Sequence, residues 1–260
     1  MNQNIQEILD FSCKVARRGG DSTLQYFKKD LDIERKADDS PVTVADKEAE
    51  TIMRNMILEK FPDHGILGEE HGQVNEESQI QWILDPIDGT KSFIHGIPLY
   101  TTLIGVLINN KPVTGVIYAP ALDELCAAGL GLGCRFNGQK CQVREIKNLK
   151  EATFLTSDLQ SVFEGRSISL FNDLIQKTRL HRTWGDAYGH MMVATGRADI
   201  MFDPVLEIWD AAPLLTIIKE AGGSFFDLYG NERIDTGSAI SCGTRIRGDI
   251  MNMIQGQNTA

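Results

Sequence analysis

The first half of the chain alternates short apolar runs with turn residues. Residues 80–84 form an apolar run with a β-branched bias, bounded at once by an Asp-Pro pair, which predicts a buried strand. Residues 101–108 and 113–119 are two further β-rich runs, and the Asn109-Asn110-Lys111 stretch between them predicts a hairpin. Residues 124–128 extend the pattern as a third strand. The first half is therefore expected to hold an antiparallel, hairpin-rich sheet.

Apolar positions at helical spacing mark two stretches near the start of the chain. The first covers residues 5–27, with a bend expected near Gly19-Gly20, and the second covers residues 45–60. Between them, residues 31–40 are charged and hold no large apolar cluster. That segment predicts either a solvated connector or a loop that closes over a site.

From residue 152 onward the pattern changes to alternating strands and helices. Strands are predicted at residues 153–156, 180–184, 200–202, 224–227 and 239–242, and helices at residues 161–177, 187–195, 210–221 and 245–254. This alternation after a hairpin-rich half predicts stacked layers of helices and sheets, an α/β (α+β layered) fold. The 260 residues, 42% of them hydrophobic, can bury a large core, either as one compact unit or as two joined parts at residues 1–150 and 151–260.

One corner of the predicted sheet carries candidate chemistry. The strand delivers Asp85 at its C-terminal end, and Pro86 turns the chain so that Asp88 returns near Asp85. Two carboxylates held together cost free energy unless a cation or a proton lies between them, and their oxygen donors suit Mg²⁺ or Mn²⁺. Gly89 lets the backbone approach a ligand, and residues 90–94 predict a short helix whose free N–H groups can bind an anion. The alternative is a surface Asp-Pro turn in which Asp88 is an ordinary cap.

Three more stretches with acidic residues bear on this corner. Glu69-Glu70 follows an apolar run that ends in a glycine, and Asp46 lies where a helix begins. Asp210 is expected to open a helix that has Pro213 in its first turn. Taken singly, each has an ordinary structural role: solvated turn charges for the glutamates, a carboxylate favoured by the helix dipole for Asp210, and the N3 partner of a Thr43 cap for Asp46.

Taken together, these stretches resemble the inositol monophosphatase family, the Mg²⁺-dependent, lithium-sensitive phosphatases related to fructose bisphosphatase. The matching pieces are, in order, Ser40-Pro41-Val42-Thr43 with Asp46, Gly68-Glu69-Glu70, Asp85-Pro86-Ile87-Asp88-Gly89-Thr90, and Trp209-Asp210 followed by Glu220-Ala221-Gly222-Gly223. They span most of the chain at the family's usual separations. The resemblance implies an αβαβα five-layer sandwich of the inositol monophosphatase and fructose-1,6-bisphosphatase type, and a homodimer.

The resemblance also implies a set of site residues and cofactors. The implied metal ligands are Glu69, Asp85, the Ile87 carbonyl, Asp88 and Asp210. The implied phosphate-binding residues are Gly89, Thr90, Lys91 and Ser92, and Thr90 with Asp46 and Glu69 would orient the attacking water. Two to three Mg²⁺ ions per subunit are implied, with Mn²⁺ able to substitute and Li⁺ expected to inhibit. Within the segment at residues 31–40, Lys36 is the candidate residue that would approach the phosphate or a third metal.

The expected reaction is direct attack of water on a phosphate monoester, with one Mg²⁺ lowering the pKa of the water and a second neutralising the leaving oxygen. The competing chemistry is a phospho-aspartate enzyme, which typically has a D-x-D motif after a strand. This chain has D-x-x-D with proline inside, from Asp85 to Asp88. The five histidines are scattered and no G-x-S-x-G motif is present, which argues against histidine- or serine-based covalent catalysis.

Within the family, the chain most resembles histidinol-phosphate phosphatases. The resembling stretches are residues 88–96, 182–189 and 193–199, with Asp203-Pro204 following. Histidinol phosphate carries an ammonium and an imidazole, so its pocket should offer carboxylates and an aromatic wall, and the candidates are Trp184, Asp186, Asp203 and Glu207. An inositol or broader sugar-phosphate phosphatase stays open, because an inositol pocket would also use a carboxylate near Asp203. A regulatory binding protein that has kept the fold without turnover stays open as well.

Composition limits the other partners. A formal net charge of −10 argues against nucleic acid bound through its phosphates, and bound Mg²⁺ would reconcile that charge with an anionic substrate. The first residues do not have the pattern of a signal peptide and no stretch has the length of a membrane span, so a cytoplasmic protein is expected. The glycine-rich residues 129–133 lack the G-x-G-x-x-G spacing of a dinucleotide site. Five cysteines without C-x-x-C spacing predict reduced thiols, neither a disulfide framework nor a zinc site: Cys13, Cys126, Cys134, Cys141 and Cys242.

Overall fold

The computed structural model describes residues 2–29, 34–35, 41–164 and 167–257. Most of the charged segment at residues 31–40, including Lys36, lies outside the described residues. The helices of the first half are α1 (Asn2–Thr23), α2 (Val44–Lys60) and α3 (Thr90–Ile94). Its strands are β1 (Glu34–Arg35), β2 (Pro41–Val42), β3 (Gly65–Gly68), β4 (Gly72–Val74), β5 (Ile80–Asp88), β6 (Thr101–Ile108), β7 (Lys111–Ala119), β8 (Glu124–Gly129), β9 (Gly133–Phe136) and β10 (Gln139–Lys140).

The second half follows the predicted alternation of strands and helices. Its strands are β11 (Thr153–Thr156), β12 (Leu180–Arg182), β13 (Ile200–Asp203), β14 (Gly223–Phe226) and β15 (Ala239–Gly243). Its helices are α4 (Leu159–Glu164), α5 (Ile168–Lys177), α6 (Ala187–Ala194), α7 (Ile208–Glu220) and α8 (Thr244–Gln257). Within the described ranges, no helix combines the length and the apolar character needed to cross a bilayer.

The first half builds an eight-stranded sheet. Its strand order is β10-β9-β8-β7-β6-β5-β3-β4, and neighbouring strands run antiparallel except β3 and β5, which are parallel. The turn between β6 and β7 is made by Asn109 and Asn110, whose φ values of 51° and 61° are those that a tight hairpin turn requires. The predicted meander of strands is therefore confirmed, although β4, β9 and β10 were not predicted.

The second half builds a five-stranded sheet of mixed direction. Its order is β12-β11-β13-β15-β14. β11 pairs in parallel with β12 and β13, whereas β15 pairs antiparallel with β13 and β14. The parallel pairs are joined through helices, as the length of a parallel crossover demands.

Helices separate and cover the two sheets. α1 and α2 pack on one face of the large sheet, and α7 packs on the opposite face against β5, β6 and β7. α6 and α7 also contact the small sheet, whose far face is covered by α8 with α5 beside it. The order of layers is therefore helices, sheet, helices, sheet, helices. The predicted αβαβα five-layer sandwich is confirmed.

An apolar cluster fills each space between layers. Trp82 and Ile8 belong to the cluster under α1 and α2, and Phe154 and Ile250 to the cluster under α8. The middle cluster joins side chains of both halves, from residue 103 to residue 239. Burial of these apolar surfaces is the main favourable contribution to folding. The division at residue 150 stays a prediction.

The strand at the centre of the site is longer than predicted. Residues 80–84 were expected to end before Pro86, but β5 continues to Asp88. Asp85 lies opposite Leu103 and Asp88 lies opposite Thr101, so three steps on β5 match two steps on β6. A bulge absorbs the extra residue, and a bulge is where a sheet accepts a proline. Pro86 therefore bends the strand without ending it.

Helix α7 begins two residues earlier than predicted. It starts at Ile208, so Asp210 is its third residue and Pro213 lies in its second turn, which corrects the expectation of a first-turn proline. The helix packs very closely on the large sheet at two glycines. A Cβ atom on Gly105 would lie 2.7 Å from Ala212 Cβ, and one on Gly115 would lie 2.9 Å from the Pro213 carbonyl carbon. Because side chains are absent there, α7 approaches the sheet closely enough to bring Asp210 to β5.

Other helix bounds also differ from the expectation. The single helix predicted at residues 161–177 is two helices, α4 and α5, with Ser167 in a turn before the second. α1 ends at Thr23, short of the predicted residue 27, and it runs through Gly19 and Gly20 as one helix. Those glycines give room to Met53 and Tyr118, whose atoms would lie 2.5 Å and 2.7 Å from added Cβ atoms.

Candidate active site

The bulge in β5 gathers two carboxylates at one corner. In a regular strand, residues three apart point to opposite faces, but the extra residue between Asp85 and Asp88 changes that alternation. The Ile87 backbone N–H donates a 2.9 Å hydrogen bond to Asp85 Oδ1, and Thr102 Oγ1 donates a 2.8 Å bond to the Pro86 carbonyl. The corner is therefore held by side chains of both β5 and β6.

Asp210 completes a group of three carboxylates. One oxygen each of Asp85, Asp88 and Asp210 lies within 4.8 Å of the other two. Asp210 is fixed by its place near the start of α7, where its Oδ2 accepts a 2.8 Å hydrogen bond from the Glu207 backbone N–H. The structure thus brings together three of the predicted metal ligands, from positions 85, 88 and 210 of the sequence.

The negative charges of these three carboxylates favour the binding of a cation. Burial raises the pKa of Asp85 well above its usual range, and the negative charges of Glu69 and Asp210 raise it further. Burial and the charge of Asp186 raise the pKa of Asp88 in the same way, and burial raises the pKa of Asp210 to about 7. Like charges so close cannot all ionise without compensation. The donors are all oxygen atoms, so the group fits a hard cation such as Mg²⁺.

Glu69 reaches the same cavity from the end of β3. Its backbone N–H donates a 3.2 Å hydrogen bond to the Leu84 carbonyl, which continues the pairing of β3 with β5. Buried Glu50 fixes the turn that follows, because its carboxylate accepts hydrogen bonds of 2.7 Å from the Glu70 N–H and 3.1 Å from the His71 N–H. Glu50 also forms a 2.7 Å salt bridge with Arg54. This support for Glu69 was not predicted.

Asp46 has the capping geometry expected for its structural role. The Thr43 backbone N–H and hydroxyl donate hydrogen bonds of 2.8 Å and 2.7 Å to Asp46 Oδ2, and the Thr43 hydroxyl accepts from the Ala45 N–H at 3.1 Å. Burial raises the pKa of Asp46 to about 6 against these hydrogen bonds, and the charges of Glu70 and Glu69 act in the same direction as burial. Asp46 thus lies within electrostatic reach of the site, and its part in orienting water stays a prediction.

The predicted phosphate segment follows β5 directly. Gly89, with φ of 79°, is the N-cap of α3 and takes a left-handed conformation that glycine adopts freely. The Thr90 hydroxyl donates a 3.1 Å hydrogen bond to the Ile87 carbonyl. Lys91 is exposed, and its Nζ lies 3.4 Å from Asp158 Oδ2. Gly89, Thr90 and Lys91 line the site cavity, whereas Ser92 lines an adjoining one.

The cavity beside the carboxylates is strongly acidic. It has a volume of about 280 Å³ and is lined by Glu69, Asp88, Gly89, Thr90, Lys91, Ser157, Asp158, Ser161, Asp186, Asp203, Pro204, Val205, Leu206 and Asp210. Six of these residues are carboxylates, and among the described lining residues Lys91 supplies the one basic side chain. Trp184 and Glu207, which were predicted to bind substrate, are exposed and do not line it.

Asp186 and Asp203, the other two residues predicted to bind substrate, both line this cavity. Asp186 has φ of 21°, which is unusual for a residue with a side chain, and its Oδ2 would lie 2.7 Å from a Cβ atom on Gly89. Ser157 Oγ donates a 2.6 Å hydrogen bond to Asp203 Oδ1. Burial raises the pKa of both carboxyls. His190 lies behind Asp203, its Nε2 3.9 Å from Asp203 Oδ2, and burial lowers its pKa to about 3, so that the imidazole is neutral.

Known proteins resemble this chain in both sequence and fold. Residues 4–253 match the model of the inositol monophosphatase family. The chain belongs to this family. It is 40% identical to a histidinol-phosphatase of Chlorobaculum parvum (strain DSM 263 / NCIMB 8327) over 233 residues, 89% of this chain and 90% of the relative. It is 30% identical to inositol monophosphatase 1 of Mus musculus over 262 residues, 94% of each chain. The crystal structure of the extragenic suppressor protein suhB from Bartonella henselae superposes with a TM-score of 0.90 at 30% identity, covering 96% of this chain and 98% of that one.

Membership in the inositol monophosphatase family makes this protein a phosphatase of phosphate monoesters. The family is generally Mg²⁺-dependent, in agreement with the acidic group in the structure. The names of its relatives differ in substrate, so the family alone leaves the physiological substrate open.

Several residues of this family member's site were not found from the sequence. Asp158 lines the cavity and ion-pairs with Lys91, and Thr101 Oγ1 donates a 2.9 Å hydrogen bond to Asp88 Oδ2. Ser157 and Glu50 support neighbouring carboxylates. The sequence does contain a signal for Asp158, because, like Asp85, it lies close to the end of a predicted strand, two residues after residues 153–156. No sequence signal indicated Glu50, because it lies within a helix and looks like a solvated charge.

Proposed function

We propose that this phosphatase hydrolyses L-histidinol phosphate to L-histidinol and phosphate. The observation that supports this substrate is the excess of carboxylates in the cavity. If Glu69, Asp88 and Asp210 bind metal, three further carboxylates remain, at Asp158, Asp186 and Asp203. Lys91 matches the charge of one of the three, Asp158, and the other two around a neutral polyol would cost desolvation and repulsion. Histidinol carries an ammonium and an imidazole, which give these carboxylates charge-assisted hydrogen bonds.

The metal ligands proposed are Glu69, Asp85 and the Ile87 carbonyl for one ion, and Asp85, Asp88 and Asp210 for a second. Mg²⁺ at these positions would lower the pKa of the attacking water and neutralise charge on the phosphate and the leaving oxygen. A third Mg²⁺ near Glu69, substitution by Mn²⁺ and inhibition by Li⁺ belong to the same proposal. We also propose that the protein forms a homodimer, is cytoplasmic and acts in histidine biosynthesis.

Thr90 and Glu69 are proposed to orient the water. The Thr90 hydroxyl donates a 3.1 Å hydrogen bond to the Ile87 carbonyl, so its oxygen lone pairs are left to accept a hydrogen bond from water. The Glu69 carboxylate is a second acceptor in the cavity, and Asp46 would support both from its cap at α2. Two acceptors fix the direction of a water molecule, and fixed orientation lowers the entropy cost of attack.

The phosphate itself is proposed to bind at the start of α3. Backbone N–H groups of Gly89, Thr90, Lys91 and Ser92 would donate to its oxygen atoms, and Gly89 leaves the approach free of a side chain. The Lys91 ammonium, held beside Asp158, would lie between the phosphate and the acidic half of the cavity. Trp184 and Glu207 remain proposed contacts at the rim for a substrate that extends beyond the cavity.

Inositol phosphate is the second candidate, since a relative at 30% identity is an inositol monophosphatase. Phosphate release by the purified protein with Mg²⁺, measured side by side on L-histidinol phosphate and myo-inositol 1-phosphate, separates the two. A strong preference in kcat/KM for histidinol phosphate supports the proposal. A preference for inositol phosphate, or equal rates, leaves the metal chemistry standing and removes the histidinol assignment.

A further inference from the structure

Three cysteines converge at the edge of the large sheet, although their sequence spacing gave no sign of a site. Cys126 on β8 and Cys134 on β9 have their sulfur atoms 3.4 Å apart. Cys141, just after β10, has its sulfur 3.4 Å from that of Cys134. All three sulfur atoms lie within 4.8 Å of one another, and none is in a disulfide. The prediction of free thiols is confirmed, but the sequence spacing did not indicate that three of them lie together.

The strand geometry holds the three sulfur atoms in place. Cys134 pairs opposite Ala128, so Cys126, two residues before Ala128 on the same strand, points to the same face. The β9–β10 hairpin returns the chain through Asn137 and Gly138, and the Cys141 backbone N–H then donates a 3.1 Å hydrogen bond to the Cys134 carbonyl. The thiols are thus presented by a paired backbone and not by a loose loop.

The spacing of the sulfur atoms suits a thiolate-bound metal ion. Zinc–sulfur bonds of about 2.3 Å in a tetrahedral site place the sulfur atoms about 3.8 Å apart. The two contacts of 3.4 Å need only a few tenths of an ångström of opening to reach that separation. The group contains no carboxylate or imidazole among the described residues, so it selects a soft ion and not Mg²⁺.

Access through Cys141 and a nearby positive charge also favour such an ion. Cys126 and Cys134 are buried, while Cys141 is half-buried and offers a route of entry and an open fourth position. The positive charge of Arg197, which also pairs with Glu124 at 3.0 Å, acts on Cys141. Arg197 would offset part of the excess negative charge that three thiolates leave on a divalent ion.

We propose that Cys126, Cys134 and Cys141 form a second metal site, for a thiophilic cation such as Zn²⁺, distinct from the carboxylate site. Binding would form three metal–sulfur bonds and release up to three thiol protons to solvent, with no change in oxidation state. A solvent molecule would complete the coordination on the side of Cys141. The site would clamp β8, β9 and the chain after β10 together.

Cadmium titration of the reduced protein tests this site. The protein is first freed of metal by a chelator, and excess Mg²⁺ is present throughout so that the carboxylate site is occupied. Cys141→Ser removes one ligand, and Cys13→Ser changes a cysteine of the same half-buried class outside the group. Cys126→Ser is the second ligand variant. Thermal unfolding and phosphatase activity with Mg²⁺ check that each variant is folded.

We expect the unaltered protein and Cys13→Ser to bind one Cd²⁺ per chain, with the ultraviolet charge-transfer absorption of a metal thiolate. In Cys141→Ser and Cys126→Ser that absorption should be lost or its midpoint weakened at least about tenfold, as loss of a metal-site residue predicts. Absence of the absorption from the unaltered protein would overturn the site. So would an undiminished absorption in both ligand variants, or a disulfide between these cysteines that persists after reduction and excludes the metal.

Discussion

The Ala187 backbone N–H donates a 2.9 Å hydrogen bond to Asp88 Oδ2, joining residues 99 positions apart. Ala187 is the first residue of α6, and the residue before it, Asp186, lies against Gly89. The proposed metal carboxylate Asp88 and the proposed substrate carboxylate Asp186 are therefore held by one connection. A change at either position is expected to affect both metal and substrate binding.

Replacing a carboxylate of the acidic group should abolish turnover and stabilise the metal-free protein. We expect Asp88→Asn and Asp210→Asn to lower kcat/KM by at least about 100-fold, the usual cost of losing a preorganised electrostatic group. Without Mg²⁺ the same changes remove a repelling charge, so Tm should rise by a few degrees, about 2–4 °C per kcal/mol for a chain of this size. Phosphate release and thermal unfolding without and with Mg²⁺ measure both effects. Unchanged turnover in both variants would refute the site.

The stability of the metal-free protein should fall as pH rises. Burial raises the pKa of Asp210 from 3.8 to about 7, so the folded protein holds this proton more tightly than the unfolded chain does. The resulting stabilisation is complete below pH 3.8 and is lost as pH rises through about 7. Mg²⁺ must displace the proton, so its affinity should increase over the same range. Thermal unfolding with and without Mg²⁺ between pH 5 and 8 follows this change, and a pH-independent Mg²⁺ affinity would contradict it.

Asp158 should contribute to the choice of substrate without taking part in the metal site. It lines the cavity and its side chain is 41% exposed, so Asp158→Asn is expected to leave the fold intact. We expect kcat/KM for histidinol phosphate to fall about tenfold, the value of one hydrogen bond between charged groups, and kcat/KM for inositol phosphate to change less than about twofold. Asp173→Asn, on α5, is the matched control for removal of one negative charge. Equal losses for both substrates would show that Asp158 does not discriminate between them.

Close packing of α7 on the sheet should be required for Mg²⁺ binding. In Gly115→Ala the new methyl group would meet the Pro213 carbonyl, so α7 must shift, at a cost of about 1–3 kcal/mol in unfolding free energy. Because α7 carries Asp210, the shift should also weaken Mg²⁺ binding. Gly248→Ala, on α8 with open space around it, is the control and should be neutral or stabilising. Lower stability with unchanged Mg²⁺ affinity would show that the close packing of α7 is not required for Mg²⁺ binding.

The sequence predicted the parts of this fold and site that depend on short segments. The strand that carries Asp85, the helix at residues 90–94, the Thr43 cap with Asp46 and the asparagine turn all follow from local spacing. The sequence predicted that a turn at Pro86 brings Asp88 near Asp85, but the bulge that does so needs the pairing of β5 with β6. That pairing depends on tertiary structure, which local patterns do not contain.

The contacts that were missed join segments distant in the sequence. The Ala187 N–H bond to Asp88 spans 99 residues, and the approach of α7 to the sheet depends on glycines 105 and 115. The meeting of Cys126, Cys134 and Cys141 depends on the register of three strands, of which β9 and β10 were not predicted. Where the sheet was not predicted, side chains that share its face could not be grouped.

The proposed substrate is tested most directly by asking whether the cavity recognises positive charge on the substrate. The measurement compares kcat/KM for L-histidinol phosphate with that for the analogue that keeps the imidazole and the phosphate and has hydrogen in place of the ammonium group. We predict a loss of at least about tenfold for the analogue, because a hydrogen bond between charged groups contributes about 1.5–3 kcal/mol. Equal kcat/KM values for the two compounds would contradict the assignment of Asp158, Asp186 and Asp203 to a cationic substrate.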